Sequence, residues 1–313
     1  MNLFGQLFGH DAAQDKELPA IERAVGVVEP MLKQARGYPE NYRKSVTSAL
    51  QYACNLAASV PGPVMINRES YGSDALVHAL FPSVDSVMDT ICASRALQDY
   101  QSESPAANEL YAMMGMRLFE KTVLGVDLVG QVLQRDVIQK VVYFTSHTLE
   151  NPASSEQQSR DQAAWSFFDS LVGKVKQRVE ARKQEKLSQL QQKDMLIARL
   201  RVANAQARPA LEDELAAMMG KIQAAALEWH DYLEDFEAVL LNPEQHLRLV
   251  QIPMVLDNMG IRRESDDAKG AMVFNQLIGF DRRDWVLTMV HCDNMPNLSF
   301  ATRLDQACRR LAL

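Results

Sequence analysis

The segment Arg160–Leu241 has the pattern of two long helices whose charges are opposite in sign. Lys174–Arg201 contains nine Lys or Arg against three acidic residues, a net charge of +6. Glu212–Glu237 contains eight acidic residues against one Lys, a net charge of −7. The helical pattern is interrupted between them at Asn204–Pro209, because proline breaks a helix interior. Oppositely charged helices attract when they lie side by side, so the sequence predicts that the two arms pair as an antiparallel hairpin.

The acidic arm carries an apolar seam typical of a coiled coil. Its apolar residues recur at alternating spacings of four and three: Leu211, Leu215, Met218, Ile222, Ala225, Trp229, Tyr232, Phe236 and Val239. Such a seam needs a partner that covers it. The candidate partner-binding residues are therefore Leu215, Met218, Ile222, Trp229 and Phe236. The partner is the basic arm, a second copy of the chain in a dimer, or another protein.

The basic arm also contains a row of cations with a regular spacing of four residues. The row consists of Lys174, Arg178, Arg182 and Lys186, and its spacing suits a phosphate backbone. No aromatic residue interleaves these cations, so stacking on nucleic-acid bases is not supported. The whole chain has a net charge of −7, which also disfavours nucleic acid as a partner. Pairing within the chain ranks first, a partner protein second and nucleic acid third.

Length and composition favour a cytoplasmic protein with two domains, or with one domain and a long insertion. The chain has 313 residues, of which 47% are hydrophobic. It contains no apolar run long enough for a transmembrane helix, and its N-terminus lacks the features of a secretory signal. Its four cysteines form no Cys-x-x-Cys pair, which is typical of reduced thiols in a cytoplasm.

Residues 15–120 have the pattern of a helical region, after a flexible or docking N-terminus at 1–14. The periodicity of apolar residues predicts helices at 17–36, 40–59, 73–81, 84–100 and 105–119. Ser83 is the expected N-cap of the fourth helix. Pro61-Gly62-Pro63 stops the second helix, and residues 64–72 are predicted to form a loop.

Two segments rich in Val, Ile, Phe and Tyr predict a β layer. Strands are expected near 121–129 and 136–146, then at 247–257, and a hairpin is expected from 271–279 and 284–291, followed by a helix at 299–312. Residues 121–150 and 247–313 would then form a small α+β region, into which 155–242 is inserted. The predicted fold class is α+β and predominantly helical, with an N-terminal helical region, a small mixed β layer and a long protruding, coiled-coil-like helical hairpin.

A candidate ligand pocket lies between the predicted N-terminal helices and the β layer. Gly72 permits a tight turn, so Tyr71 and Asp74 could face a groove there. His78 and His147, together with Tyr71 and Asp74, complete the candidate pocket.

Metal and nucleophile chemistry have little support in the sequence. His230 and Glu234 have the spacing of two ligands on one helix, but a metal site needs three or four. His291 and Cys292 are adjacent on a predicted strand and point to opposite faces, so they do not pair as base and nucleophile. We therefore predict no metal and no cofactor.

The sequence favours a non-enzymatic interaction or scaffold protein that uses the hairpin for self-association or partner binding. One alternative is an enzyme or ligand-binding protein that uses the candidate pocket. Another is a nucleic-acid-associated regulator that uses the basic row at 174–201.

Overall fold

A computed structural model describes residues 10–104, 109–129, 132–224, 229–263, 271–279 and 284–293. Helices account for 58% and strands for 28% of the structure, which confirms a mixed and predominantly helical class. The chain divides into two compact units. One consists of Met1–Tyr52 and Phe168–His246, and the other of Ala53–Phe167 and Leu247–Leu313.

The described helices are separated mostly by short turns. They are α1 (His10–Val28), α2 (Glu40–Ser59), α3 (Arg68–Ser73), α4 (Ala75–Leu80), α5 (Val84–Ala93), α6 (Arg95–Glu103), α7 (Glu156–Val202), α8 (Arg208–Ala224) and α9 (Trp229–Leu240). Short 3₁₀ turns occupy Pro30–Gln34 and Pro243–Gln245. Helix α7 has 47 residues and is therefore about 70 Å long at the usual rise per residue.

The described strands form one seven-stranded sheet. They are β1 (Val64–Met65), β2 (Leu110–Val129), β3 (Val132–Ala153), β4 (Leu247–Leu256), β5 (Arg262–Arg263), β6 (Met272–Gly279) and β7 (Asp284–Cys292). The order is β3-β2-β7-β6-β4-β5 with antiparallel neighbours, and the short β1 pairs with β7 in parallel. The predicted β layer is thus confirmed, but it is larger than the sequence suggested.

The first unit has a core of helices. Tyr42 of α2 and Phe236 of α9 are buried, and their rings meet edge to face with centroids 5.0 Å apart. Phe168, Leu171 and Val175 of α7 are also buried. Aromatic burial of this kind contributes much of the free energy that holds a small helical core together.

The second unit packs helices α3–α6 against the sheet. Its core combines buried helix residues such as Val77, Leu80 and Ile91 with strand residues such as Met114 and Phe274. The two edges of the sheet also meet, because Ile261 bridges Val141 of β3 and Gly260 O accepts a hydrogen bond of 2.8 Å from Val142 N. This junction brings the turn between β4 and β5 next to α4.

Several predicted elements of the N-terminal half need correction. Residues 64–72, predicted to be a loop, contain β1 and α3, and Asn67 caps α3 with a reciprocal bond to Ser70. The predicted helix 84–100 is two helices, because Ser94 ends α5 and its hydroxyl caps α6. The N-terminal segment 1–14 is helical from His10 onward, and its first nine residues lie outside the described part of the chain.

The predicted helix 105–119 is wrong over residues 110–119, which form the first half of strand β2, and residues 105–108 lie outside the described part of the chain. Residues 110–116 pair with β7, and most also pair with β3 on the other side. Ala112, Met114 and Met116 are buried, so the helical preference of these residue types is overridden by burial inside the sheet. The domain boundary predicted at 120 therefore falls inside a strand. The predicted helix 299–312 lies outside the described residues.

Candidate functional site

A cavity of about 470 Å³ lies in the second unit, where helix α4, strand β3 and the turn between β4 and β5 come together. This volume is within the range of about 300–1,000 Å³ that is usual for small-molecule sites. We call it the aromatic cavity, because five of the fourteen described residues that line it carry aromatic rings. The lining residues that matter below are Tyr71, His78, Ala79, Phe81, Tyr143, Phe144 and Met259.

The turn that closes the aromatic cavity is held by one carboxylate. Asp257 Oδ1 accepts hydrogen bonds of 2.9 Å from the backbone N–H groups of Met259 and Ile261, and Oδ2 accepts from Arg263. Burial opposes ionisation of Asp257, but these bonds outweigh it and lower the pKa of the carboxyl. Gly260 adopts a φ of +73°, which side chains other than glycine disfavour. These hydrogen bonds and the backbone conformation of Gly260 hold the turn in place.

Two of the four candidate pocket residues line the aromatic cavity. The rings of Tyr71 and His78 are in contact, with centroids 4.8 Å apart. His78 Nε2 lies 3.2 Å from the backbone carbonyl oxygen of Asn258. That contact ties α4 to the turn and fixes the orientation of the imidazole.

The other two candidate residues have different roles. Asp74 is the N-cap of α4, and its Oδ1 accepts a hydrogen bond of 2.8 Å from Leu76 N. His147 stacks on Phe81 with centroids 4.7 Å apart, and its Nε2 donates to Leu80 O at 2.9 Å. His147 faces a neighbouring cavity lined by residues of α5, α6 and β3, so the four predicted pocket residues do not line one cavity.

His147 should make stability depend on pH. Burial lowers the pKa of His147, and its hydrogen bond to Leu80 opposes this only in part. Between the folded-state pKa and the unfolded value of about 6.5, the unfolded chain binds more protons, so the free energy of unfolding should fall as the pH drops below about 6.5. We expect the melting temperature of His147→Phe to fall less than that of wild type between pH 7.5 and 5.5.

The matched control for this measurement is His230→Gln, since His230 is exposed. Its melting temperature should follow wild type over the same pH range. An equal loss of melting temperature in wild type and in His147→Phe would contradict a role for His147.

The basic and acidic segments of the arms meet at their ends nearest the core of the first unit. Arg178 Nε lies 3.0 Å from Asp235 Oδ1, and Arg182 Nε lies 3.1 Å from Asp235 Oδ2. Arg182 also approaches Asp231 at 3.8 Å and Glu234 at 3.6 Å. Two members of the predicted phosphate-binding row are thus engaged by carboxylates of α9.

The candidate partner-binding residues are not uniformly accessible. Leu215, Met218 and Ile222 of α8 are half-buried, while the residues between them are mostly exposed. Phe236 is buried against Tyr42, so its assignment as a partner-binding residue is wrong and it belongs to the core of the first unit. The side chain of Trp229 lies outside the described part of the structure.

Three of the four exposed large apolar residues described in the arms lie on α7, where the sequence analysis assigned no partner-binding residue, and the fourth is Met219 of α8, 56% exposed. Leu187 is 49% exposed, Met195 is 60% exposed and Val202 is 86% exposed. With Gln191 and Ala198, which are also exposed, they recur every three or four residues and therefore share one side of the helix. We call these five residues the outer stripe. Their spacing in the sequence was the signal that could have identified them.

The outer stripe is distinct from the covered side of α7. Leu196 is buried, and Leu190, Ile197 and Leu200 are half-buried. These four residues lie on the opposite side of the helix at 3.6 residues per turn. The far half of α7 therefore has two apolar sides, of which one is covered and one is open.

The remaining titratable candidates do not assemble into a reactive site. Burial raises the pKa of Cys292 to about 12, so its thiol is a poor nucleophile. Within the described ranges, no group of three His, Cys, Asp or Glu residues is arranged to hold a metal ion. No described helix is long and apolar enough to span a membrane.

No family model, no curated protein and no solved structure matches this chain.

Proposed function

We propose that this chain is a non-enzymatic cytoplasmic interaction protein that self-associates, most simply as a dimer, through the outer stripe of α7. The supporting observation is the exposure of Leu187, Met195 and Val202 on one side of a long helix. Several large apolar side chains exposed along one side of a helix favour a binding surface there.

The proposal includes an antiparallel hairpin formed by α7 with α8 and α9. The ion pairs from Arg178 and Arg182 to Asp235 support it near the core of the first unit. Farther along, the half-buried Leu215 and Met218 on α8, together with the buried Leu196 on α7, have the periodicity of residues covered by a neighbouring helix. The apolar seam of α8 is then used inside the chain, and the outer stripe is left for a second copy.

A second copy is favoured over nucleic acid because the outer stripe is uncharged. Its five residues are Leu187, Gln191, Met195, Ala198 and Val202, and none of them can neutralise a phosphate. Two of the cations that could do so, Arg178 and Arg182, are paired with acidic residues of α9. An apolar stripe with heptad-like spacing matches another copy of itself.

The test is the mass of the double variant Leu187→Glu/Met195→Glu. Wild type should have twice the chain mass of 35.1 kDa by light scattering. Burying a large apolar side chain contributes about 1.5–3 kcal/mol, so two charged replacements in each copy should weaken the dimer by about 100-fold or more. The variant should therefore sediment as a single chain at low micromolar concentration.

Two control variants separate the outer stripe from the seam of α8. Met31→Glu changes an equally exposed methionine outside the arms and should leave the mass unchanged. Met218→Glu changes a residue of the half-buried seam of α8. Its main effect should therefore be a lower melting temperature rather than a change of mass. A wild-type mass of one chain at high micromolar concentration would contradict self-association.

A further inference from the structure

Five of the fourteen described residues that line the aromatic cavity carry aromatic rings. Phe81 and Phe144 are buried, whereas Tyr71 and Tyr143 are more accessible at its border. Three of these four rings pack against another ring outside this lining. Phe81 stacks on His147, Phe144 packs against Phe274 at 5.0 Å, and Tyr143 stacks on Phe119 at 5.7 Å. Because Phe81 and Phe144 are almost fully covered, a flat ring entering the cavity would meet mainly the rings of Tyr71 and Tyr143.

The charge of the lining indicates an uncharged ligand. Among the described residues that line the aromatic cavity, none is Lys or Arg, so an anion would find no counter-charge. Asp257 is the acidic residue of that lining, and its carboxylate already accepts two backbone N–H groups and the Arg263 guanidinium. It is therefore not available to neutralise a cation. Burying an uncompensated charge costs far more than burying a neutral ring.

The polar groups of the cavity indicate a ligand with a hydrogen-bond donor. The carbonyl oxygen of Asn258 can only accept, so His78 Nε2 must carry the hydrogen in their 3.2 Å contact. In the neutral imidazole, Nδ1 then keeps its lone pair and can accept a hydrogen bond. The ring of Tyr71 lies against this imidazole, so a ligand that stacks in the cavity would be close to the acceptor.

From this combination we propose that the aromatic cavity binds an uncharged aromatic molecule of one or two fused rings that carries an N–H or O–H donor. The rings of the cavity stack on the ligand and His78 accepts its hydrogen. The site lies entirely within the second unit, so it is separate from the outer stripe and independent of self-association.

Indole and 1-methylindole are matched probes for this site, because they share the ring system and 1-methylindole has a methyl group in place of the N–H hydrogen. We expect saturation-transfer NMR on the full-length protein to show indole binding at millimolar concentration or below, and 1-methylindole binding at least fivefold more weakly. In His78→Phe, indole should weaken to the level of 1-methylindole, and the difference between the two probes should disappear. Indole-3-acetate and tryptamine, which are charged, should bind more weakly than indole.

Two tryptophan variants, each filling one of the two cavities, test which cavity binds indole. Ala79→Trp should fill the aromatic cavity and abolish indole binding, whereas Ala93→Trp fills the neighbouring cavity and should leave it unchanged. Tyr143→Ser, which removes one wall at a more exposed position, serves the same purpose if Ala79→Trp does not fold. Absence of indole binding to folded wild type, or equal binding in the wild type and in either cavity variant, would overturn the proposal.

Discussion

Replacing Gly62 with alanine is expected to reduce the free energy of unfolding by about 3 kcal/mol or more. Gly62 has a φ of +110°, which residues with a side chain adopt only under strain. A Cβ at this position would also overlap the backbone carbonyl oxygen of Met289 in β7. The segment cannot easily move away, because Pro61 O accepts a hydrogen bond of 2.7 Å from Met289 N. The backbone strain at position 62 and the overlap with Met289 therefore both lower the stability of Gly62→Ala.

Urea unfolding followed by circular dichroism measures this effect, with Gly72→Ala as the matched control. Gly72 lies in α3, and a Cβ there would meet no atom within 4 Å. Alanine favours a helix over glycine by up to about 1 kcal/mol, so the control should be neutral or slightly more stable. Similar midpoints for Gly62→Ala and wild type would contradict the tight approach of residues 61–62 to β7.

Elements whose boundaries are marked by local chemistry could be predicted from the sequence. Helix α2 was predicted at its observed limits, because Pro39 precedes it and Pro61 and Gly62 follow it. The β6–β7 hairpin was also confirmed, since its two apolar runs flank a short charged segment. Strand β2 was partly missed because Ala112–Met116 contains no polar alternation. A strand buried on both faces has the same composition as a buried helix.

The aromatic cavity could be predicted only in part. Tyr71 lies at a turn that the sequence marks with Gly72, and His78 follows it closely in the sequence. Tyr143 and Met259 are far away in the chain and reach the cavity only because the two edges of the sheet meet at Val141 and Ile261. No local pattern encodes a contact of that sequence separation. Asp74 was singled out for the same turn, but a carboxylate directly before a helix is most often its cap.

For the helical arms, the sequence predicted the charged contacts but not which apolar side of α7 is covered. Their charge contrast predicted contacts between basic and acidic helices, and Arg178 and Arg182 do meet Asp235. The sequence analysis assigned no role to the apolar residues of α7. Burial separates them into two sides, with Leu196 covered and Met195 exposed. Which side is covered depends on the neighbouring helix, and the sequence of α7 alone does not contain that information.

The second large effect is expected from Arg160→Met, which should lower the free energy of unfolding by about 3 kcal/mol or more. Arg160 Nη1 donates hydrogen bonds of 2.7 Å to Ala57 O and 2.9 Å to Val60 O, while Nε binds Glu156 at 2.7 Å. The last carbonyl groups of a helix have no partner within the helix, so Arg160 supplies donors that the end of α2 lacks. Hydrogen bonds to a charged group contribute about 1.5–3 kcal/mol each.

Chemical unfolding of Arg160→Met, Arg160→Lys and Arg95→Met separates charge from geometry. Lysine keeps the charge but has a single ammonium group in place of the planar guanidinium. It cannot donate to Ala57, Val60 and Glu156 at the same time, so we expect an intermediate loss of stability for Arg160→Lys. Arg95 is almost fully exposed and pairs with Asp99 at 3.8 Å, so its replacement should cost less than about 1 kcal/mol. If Arg160→Met and Arg95→Met lost equal stability, the end of α2 would have to be satisfied by water, and Arg160 would be an ordinary surface residue. Methionine fills nearly the same space as the arginine stem, so a large loss in Arg160→Met can be assigned to the missing donors rather than to a void.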